Sequence, residues 1–122
     1  MPRRETSRTR RVGELIKREL AGLVQRDLSD ARARKATILD VNVAPDFSHA
    51  KVFITHLDGA EQARDIVKYL NQASGFLRRQ LAGRIELRVI PQLRFVYDES
   101  VERGMALSQL IERARAADED KS

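Results

Sequence analysis

A line of basic and amide side chains runs along one predicted helix in the middle of the chain. At helical spacing, one face of residues 64–84 carries Arg64, Lys68, Gln72, Gly75 and Arg79. A glycine inside a helix costs about 1 kcal/mol relative to alanine. Placed between cations, a residue without a side chain lets a phosphate backbone come close to the main chain. The pattern therefore predicts a nucleic-acid contact on this face.

The predicted contact residues fall into two groups. The first comprises Lys68, Gly75, Arg78 and Arg79, with Arg64 on the same line. The second lies near the N-terminus and comprises Arg10, Arg11 and Lys17. Of six aromatic residues, none is Trp, and they do not form the paired strand aromatics typical of RNA-recognition sheets. We therefore expect contacts mainly to phosphates and to RNA shape.

Other chemistries find little support in the sequence. The aspartates are scattered over predicted turns and strand ends, where capping explains them. His49 and His56 differ in strand parity, so they should point to opposite faces and not share a metal. Neither a phosphate-binding loop nor a dinucleotide motif is present. We expect no catalytic residues, no metal and no cofactor.

Composition favours a single basic domain. The 122 residues carry a formal net charge of +5, which suggests a polyanionic partner. The absence of cysteine excludes a disulfide framework and a thiolate zinc site. No apolar run is long enough to span a bilayer, and the basic N-terminus lacks the apolar segment of a secretory signal. We expect a cytoplasmic protein that does not bind membranes.

Hydrophobic periodicity predicts the elements that position these residues. A first helix covers 7–28, and alternating strands cover 37–44 and 50–57, with a short turn that makes them an antiparallel hairpin. Central helices follow, with an apolar stripe that continues through Gly75. A third strand over 87–97 is interrupted by Pro91, which marks an edge or a bulge, and a final helix begins near Asp98.

This order predicts an α+β fold, a three-stranded sheet with helices packed on one face. The other sheet face would then stay partly open. We divide the chain into a basic flexible arm at 1–6, an RNA-binding domain at 7–115 and a short acidic tail at 116–122. Arm and tail are predicted to be disordered because they are highly charged and have few apolar residues.

Three stretches, read together and in this order, resemble the bacterial ribosome-binding factor A family. They are VNVAPDFSHAKVFI at 41–54, LNQASGFLRRQL at 70–81 and LRVIPQLRFVYDES at 87–100. The resemblance covers most of residues 7–112. It implies a type II KH-like fold in which a helix–kink–helix replaces the GXXG loop, with the kink at Ala73, Ser74 and Gly75.

The resemblance also implies a function. Members bind the free small (30S) ribosomal subunit and assist late maturation of 16S rRNA, including processing of its ends, without being enzymes. The expected partner is 16S rRNA within that subunit, small-subunit ribosomal proteins are further candidates, and we expect a monomer. Two alternatives stay open: a protein-binding adaptor that uses the open sheet face, and a small RNA-processing enzyme.

Overall fold

The computed structural model describes residues 6–120, with side chains through residue 117. The chain forms four α-helices, one 3₁₀-helix and three strands within that range. In chain order these are α1 (Ser7–Arg26), the 3₁₀-helix (Ala31–Lys35), β1 (Ala36–Val43), β2 (His49–His56), α2 (Ala60–Gln72), α3 (Ser74–Ala82), β3 (Gln92–Val96) and α4 (Glu99–Asp120). The predicted α+β order of elements is confirmed, with the 3₁₀-helix added.

The sheet has the strand order β1-β2-β3. β1 and β2 form the predicted antiparallel hairpin, whereas β3 lies parallel to β2 and is reached through α2 and α3. The pairing of β1 skips one residue, because Ile38 faces Ile54 and Asp40 faces Phe53. The extra residue, Leu39, forms a β-bulge that shifts the alternation of buried and exposed side chains along β1 by one position. Regular alternation over 37–44 would put Leu39 on the buried face with Val41 and Val43, but Ile38 is the buried residue at this point.

The core lies between one face of the sheet and three helices. α1 packs on β1, α2 on β2 and β3, and α3 on β3 beside α1. The helix residues at the centre of this layer have no exposed surface; they are Ile16, Leu20, Leu23, Ile66, Leu70, Leu77 and Leu81. Burial of a side chain of this size contributes about 1.5–3 kcal/mol. The apolar stripes predicted for α1 and for the central helices are therefore the ones that build the core.

Helix α1 approaches the sheet unusually closely at Gly13. A Cβ atom at this position would lie 2.6 Å from the carbonyl oxygen of Val41. No real Cβ tolerates that contact, so a larger residue would push the helix away from β1. The start of α1 is fixed by a capping box, in which Thr6 and Thr9 each accept the other's backbone N–H.

The third strand is shorter than the sequence predicts. The pattern suggested a strand over 87–97 with Pro91 inside it, but β3 begins only at Gln92. The N–H of Gln92 donates to Ser48 O at 3.0 Å and opens the ladder with β2. Pro91 has no N–H to donate, so it can precede the first paired residue but cannot belong to the ladder. Residues 86–91 instead form an irregular segment between α3 and β3.

The last helix stands apart from the layer of helices. Its large apolar residues remain exposed, with Leu107 at 61% and Leu110 at 62%. The expectation that the helices pack on one sheet face is therefore wrong for α4, whose apolar residues are too few and too interspersed with charge to compete for the core. Residues 116–120 of the predicted tail lie within α4. Residues 1–5 and 121–122 lie outside the described residues, and the domain boundaries stay a prediction.

Candidate nucleic-acid interface

A single residue separates the two central helices. Helix α2 ends at Gln72, α3 begins at Ser74, and Ala73 between them has φ −86° and ψ 1°. The Ala73 N–H still bonds to Tyr69 O and the Leu77 N–H to Ala73 O, both at 3.0 Å. Because only one residue departs from helical geometry, Leu70 and Leu77 keep the same buried side. Ala73 is the first of the three residues predicted to form the kink.

The line of residues opposite the core lies on the surface across this break. All five members are exposed, and we name them the kink face: Arg64, Lys68, Gln72, Gly75 and Arg79. A Cβ on Gly75 would meet only Arg79 Nη1, at 3.6 Å, among the atoms that the structure describes. This is an ordinary contact with a flexible side-chain end. Packing within the protein therefore gives no reason for glycine here, in contrast to Gly13.

Two cations of the kink face have no ion-pair partner among the residues that the structure describes. Within residues 6–117, the ion pairs join Arg32 to Asp30, Lys35 to Asp58 and Arg84 to Asp27, and none involves Lys68 or Arg79. Both side chains thus keep their charge and all their donors for an external anion. Such exposed charges are attracted to a polyanion over about 8–10 Å at physiological salt.

Arg64 differs because an aromatic ring holds it. Its guanidinium lies 5.7 Å from the centre of the Tyr97 ring, at the end of β3. The Glu102 carboxylate beside the Tyr97 hydroxyl raises the pKa of Tyr97 above its ordinary value. Arg64 is therefore positioned by α2 and by the entry to α4 together, a long-range arrangement that helical spacing cannot indicate.

Arg78 is fixed in place by the segment that precedes β3. Its Nε and Nη2 donate to Ile90 O at 3.0 and 2.9 Å. A guanidinium has five N–H donors, so three remain for a ligand. Arg78, which the sequence predicts to contact phosphate, is thus a pre-oriented side chain. The same segment brings Arg88 and Val89 to the surface beside Arg78 and Arg79. A regular strand over 87–97 gives no sign of this placement of Arg88, which depends on the irregular course of the segment.

Asn71 attaches the kink to the edge of the sheet. Its Nδ2 donates to Phe95 O at 2.9 Å, and its Oδ1 accepts the Phe95 N–H at 2.8 Å. β3 is an edge strand, so these are backbone groups that a neighbouring strand would otherwise pair. This part of the edge is consequently closed to a partner strand. Sequence periodicity gave no sign of this role, because Asn71 lies between the apolar stripe and the kink face.

Beside Asn71, a groove runs between the kink and the edge strand. It is lined by Ser74, Gly75, Arg78, Gln92 and Leu93. One wall is the start of α3, where backbone N–H groups lack helical partners and the helix dipole is positive. The other wall is the start of β3. The groove thus joins Gly75 to Arg78, two residues of the first predicted contact group.

The second predicted group lies on a different helix. Arg10 and Arg11 are exposed in the first turns of α1, and Lys17 is half-buried further along. Helix α1 contacts α3 but packs chiefly on β1. These three residues thus lie on α1, whereas the kink face lies on α2 and α3, and their role in binding stays a prediction.

The histidines lie as strand parity predicts. His49 is exposed, while His56 is buried, accepts the Asp58 N–H at Nδ1 and bonds to Arg32 O through Nε2. In the part of the chain that the structure describes, no group of three or more His, Asp or Glu side chains is placed to hold a metal. Nor is any described helix sufficiently long and apolar to cross a membrane.

A family model and several relatives with the same name match this chain over most of its length. The family model for ribosome-binding factor A matches residues 8–111. Ribosome-binding factor A of Nitrosomonas europaea is 54% identical over 111 residues, covering 91% of this chain and 95% of that protein. Ribosome-binding factor A of Pseudomonas fluorescens Pf-5 is 52% identical over 117 residues, covering 94% and 88%.

Structures of ribosome-binding factor A also match the fold of this chain. The crystal structure of ribosome-binding factor A from Thermus thermophilus matches with a TM-score of 0.64 at 27% identity, over 73% of this chain and 94% of that one. A second set of coordinates is a homology model of Thermus thermophilus ribosome binding factor A fitted into an electron cryo-microscopy map of a complex with the 30S subunit. It matches with a TM-score of 0.59 at 29% identity, over 71% of this chain and 91% of that one.

Proposed function

Because this chain belongs to the ribosome-binding factor A family, we propose that it binds the free small (30S) ribosomal subunit and assists late maturation of 16S rRNA, including processing of its ends. A relative has been fitted into a map of a 30S complex. The observation in this chain that carries the proposal is the kink face, an exposed row whose cations Lys68 and Arg79 have no carboxylate partner among the described residues.

We include the type II KH-like assignment in this proposal. The arrangement that supports it is two helices joined by a one-residue break beside an edge strand parallel to its neighbour. In such a domain the α2–α3 break would occupy the place of the GXXG loop. Gly75 would bring the RNA backbone near the main chain, while Arg78 and Arg79 would hold phosphates on either side of it.

The proposed mechanism is binding, with no covalent step. Cations that contact phosphates release counterions from the RNA and hold the protein in register without reading bases. Bound protein stabilises those RNA conformations that present phosphates at the spacing of its cations, and in this way favours the mature arrangement. A factor acting in this way needs no cofactor, and its place of action is the cytoplasm, where ribosomal subunits assemble.

Reversing two charges of the kink face tests the proposal. We expect Lys68→Glu with Arg79→Glu to weaken co-sedimentation with purified free 30S subunits. Each lost phosphate contact reduces the slope of log affinity against log salt by about 0.7–0.9. The matched control is Arg113→Glu with Arg115→Glu, which makes the same charge change on the exposed helix α4. Equal affinities and salt slopes for both variants would rule out the kink face as the binding surface.

The maturation role needs a separate measurement. In cells whose chromosomal copy is replaced by the Lys68→Glu, Arg79→Glu variant, we expect precursor 16S rRNA with unprocessed ends to accumulate, while the control variant processes normally. Incubation of the pure protein with precursor RNA and Mg²⁺ tests the enzymatic alternative. Cleavage under those conditions would overturn the proposal of a binding factor.

A further inference from the structure

Two grooves adjoin at the end of the molecule where α1 begins. One is lined by Arg78, Arg79, Arg88 and Val89, together with Ala82 and Ile90. The other is lined by Arg8, Phe47, Arg88 and Val89, with Val12, Asp46 and Leu87. Since Arg88 and Val89 line both, the two grooves meet at this pair and belong to one surface. We name it the arginine groove: Arg8, Phe47, Arg78, Arg79, Arg88 and Val89.

The arginine groove is strongly cationic. It brings four arginines from α1, α3 and the segment before β3 to one surface, and the acidic residue among its lining residues is Asp46. The Asp46 carboxylate already accepts the Ser48 N–H at 3.1 Å and the Ser48 O–H at 2.7 Å, which lowers its pKa. The carboxylate therefore stays charged, but its single negative charge against four guanidinium groups leaves the lining strongly positive. The ligand that fits this charge is a polyanion.

The groove also offers an aromatic ring in an unusual setting. Phe47 has φ +61°, the one non-glycine residue with positive φ among those described. Bulky residues rarely adopt this conformation, which glycine or asparagine would accept more easily. The ring lies under Arg8, with the guanidinium 5.2 Å from its centre. Phe47 is half-buried and packs partly against the core, and the rest of the side chain lines the groove.

From these observations we infer that the arginine groove holds a single-stranded segment of RNA, with phosphates on Arg8 and Arg88 and a base against Phe47 and Val89. Val89 is 55% exposed, so the groove has apolar surface open to a ligand. Aromatic rings beside cations are the usual means of binding single strands, because every base has a stacking face. A duplex keeps its bases stacked inside and would not use that surface. The inference rests on the proposed function and extends its RNA contact beyond the kink face.

A labelled oligonucleotide tests the inference with the full-length protein. The probe is a fluorescent 12-nucleotide oligouridylate containing 4-thiouridine, compared with an RNA hairpin of equal charge. Binding is followed by fluorescence anisotropy at several salt concentrations, and crosslinked peptides are identified by mass spectrometry. Arg8→Glu with Arg88→Glu removes the proposed phosphate contacts, and Phe47→Asn removes the ring while suiting the backbone. Arg113→Glu with Arg115→Glu is again the matched control.

We expect the wild-type protein to prefer the oligouridylate and to crosslink within 87–89 or at Phe47. The Arg8→Glu, Arg88→Glu variant should bind it at least tenfold more weakly, with the salt slope reduced by about 1.4 for two lost contacts. Phe47→Asn should weaken binding several-fold with little change in the salt slope. The control should retain wild-type affinity. If either groove variant melts early, Val89→Glu repeats the test at an exposed position.

Several outcomes would overturn the inference. Unchanged oligouridylate binding by the groove variants, or crosslinks elsewhere, would exclude the groove. Wild-type protein that binds 30S subunits but not the oligouridylate would exclude it and leave the proposed function standing. Groove variants that lose 30S binding but keep the oligouridylate would assign the groove to a ribosomal protein. Failure of wild-type protein to bind either ligand would remove the proposed function and this inference together.

Discussion

The contact between α1 and β1 and the break between α2 and α3 both centre on a glycine within a helix. At the first, the missing side chain of Gly13 lets the helix lie against the Val41 carbonyl, where a Cβ would be only 2.6 Å away. At the second, the space beside Gly75 holds only the tip of Arg79 among the described atoms. Each glycine lowers the stability of its helix by a similar amount, but the surroundings differ: Gly13 lies against backbone, and Gly75 faces open space.

The two regions differ in the interactions that hold them and in how much surface they leave exposed. The α1–β1 contact is held by shape, because backbone meets backbone with no room between them. The α2–α3 break is held by burial of Leu70 and Leu77 and, in addition, by directed hydrogen bonds between Asn71 and Phe95 and from Arg78 to Ile90 O. Hydrogen bonds fix the positions of the backbone and leave the outer face of the break open. The first region therefore stabilises the fold, and the second keeps a surface available for a ligand.

The largest effect on stability is expected where the packing is closest. Gly13→Ala places a methyl group against Val41 O, and overpacking of this kind costs about 1–3 kcal/mol even though alanine favours the helix. Urea unfolding measures the loss. Gly22→Ala is the control in the same helix, because its Cβ would meet only the mobile end of Arg26. Equal stability for the two variants would show that α1 can move away from β1 at no cost.

A smaller loss of stability is expected when the hydrogen bonds between Asn71 and β3 are removed. Asn71→Ala removes both hydrogen bonds to Phe95 and leaves two backbone groups without partners, at a cost of about 1–2 kcal/mol. Asn71→Asp keeps the acceptor and loses the donor, so its midpoint in urea should fall between alanine and wild type. Gln72→Ala, one residue along on the exposed face, should leave the midpoint unchanged. An unaffected Asn71→Ala protein would mean that packing alone holds this region.

Substitution of Gly75 should change the stability of the fold in the opposite direction to substitution of Gly13. Gly75→Ala meets no obstacle and should stabilise the fold by up to about 1 kcal/mol. The added methyl group lies where we place the RNA backbone, so 30S binding should weaken several-fold. Thermal melting and co-sedimentation of the same preparation measure the two effects. A variant that binds as well as wild type would show that no ligand approaches the main chain at Gly75.

The smallest effect is expected in α4, which belongs to neither region. Leu107→Ser with Leu110→Ser changes two residues that are about 60% exposed, so the free energy of unfolding should change by less than about 0.5 kcal/mol. Affinity for 30S subunits should also stay constant. Thermal melting that falls by many degrees would reveal a contact of α4 with the domain, and weakened 30S binding would add this helix to the interface.

Much of the architecture follows from periodicity. The stripe along α1, the β1–β2 hairpin and the apolar phase through Gly75 were predicted from residue spacing, because one face of each element must be buried. The kink face was also found in this way, since a line of exposed residues on a helix follows from the positions of the buried ones. Membership of the family rested on three short stretches, and the matches to known proteins confirm it.

What the sequence did not indicate depends on contacts between distant residues. The bulge at Leu39, the late start of β3 and the closeness of Gly13 to Val41 each require a neighbouring element to be in place. The same holds for Arg8, Phe47 and Arg88, which are far apart in the chain and meet only because α1, the hairpin turn and the segment before β3 share one end of the molecule. Local spacing fixes which face of an element is buried, whereas only tertiary packing decides which exposed residues become neighbours.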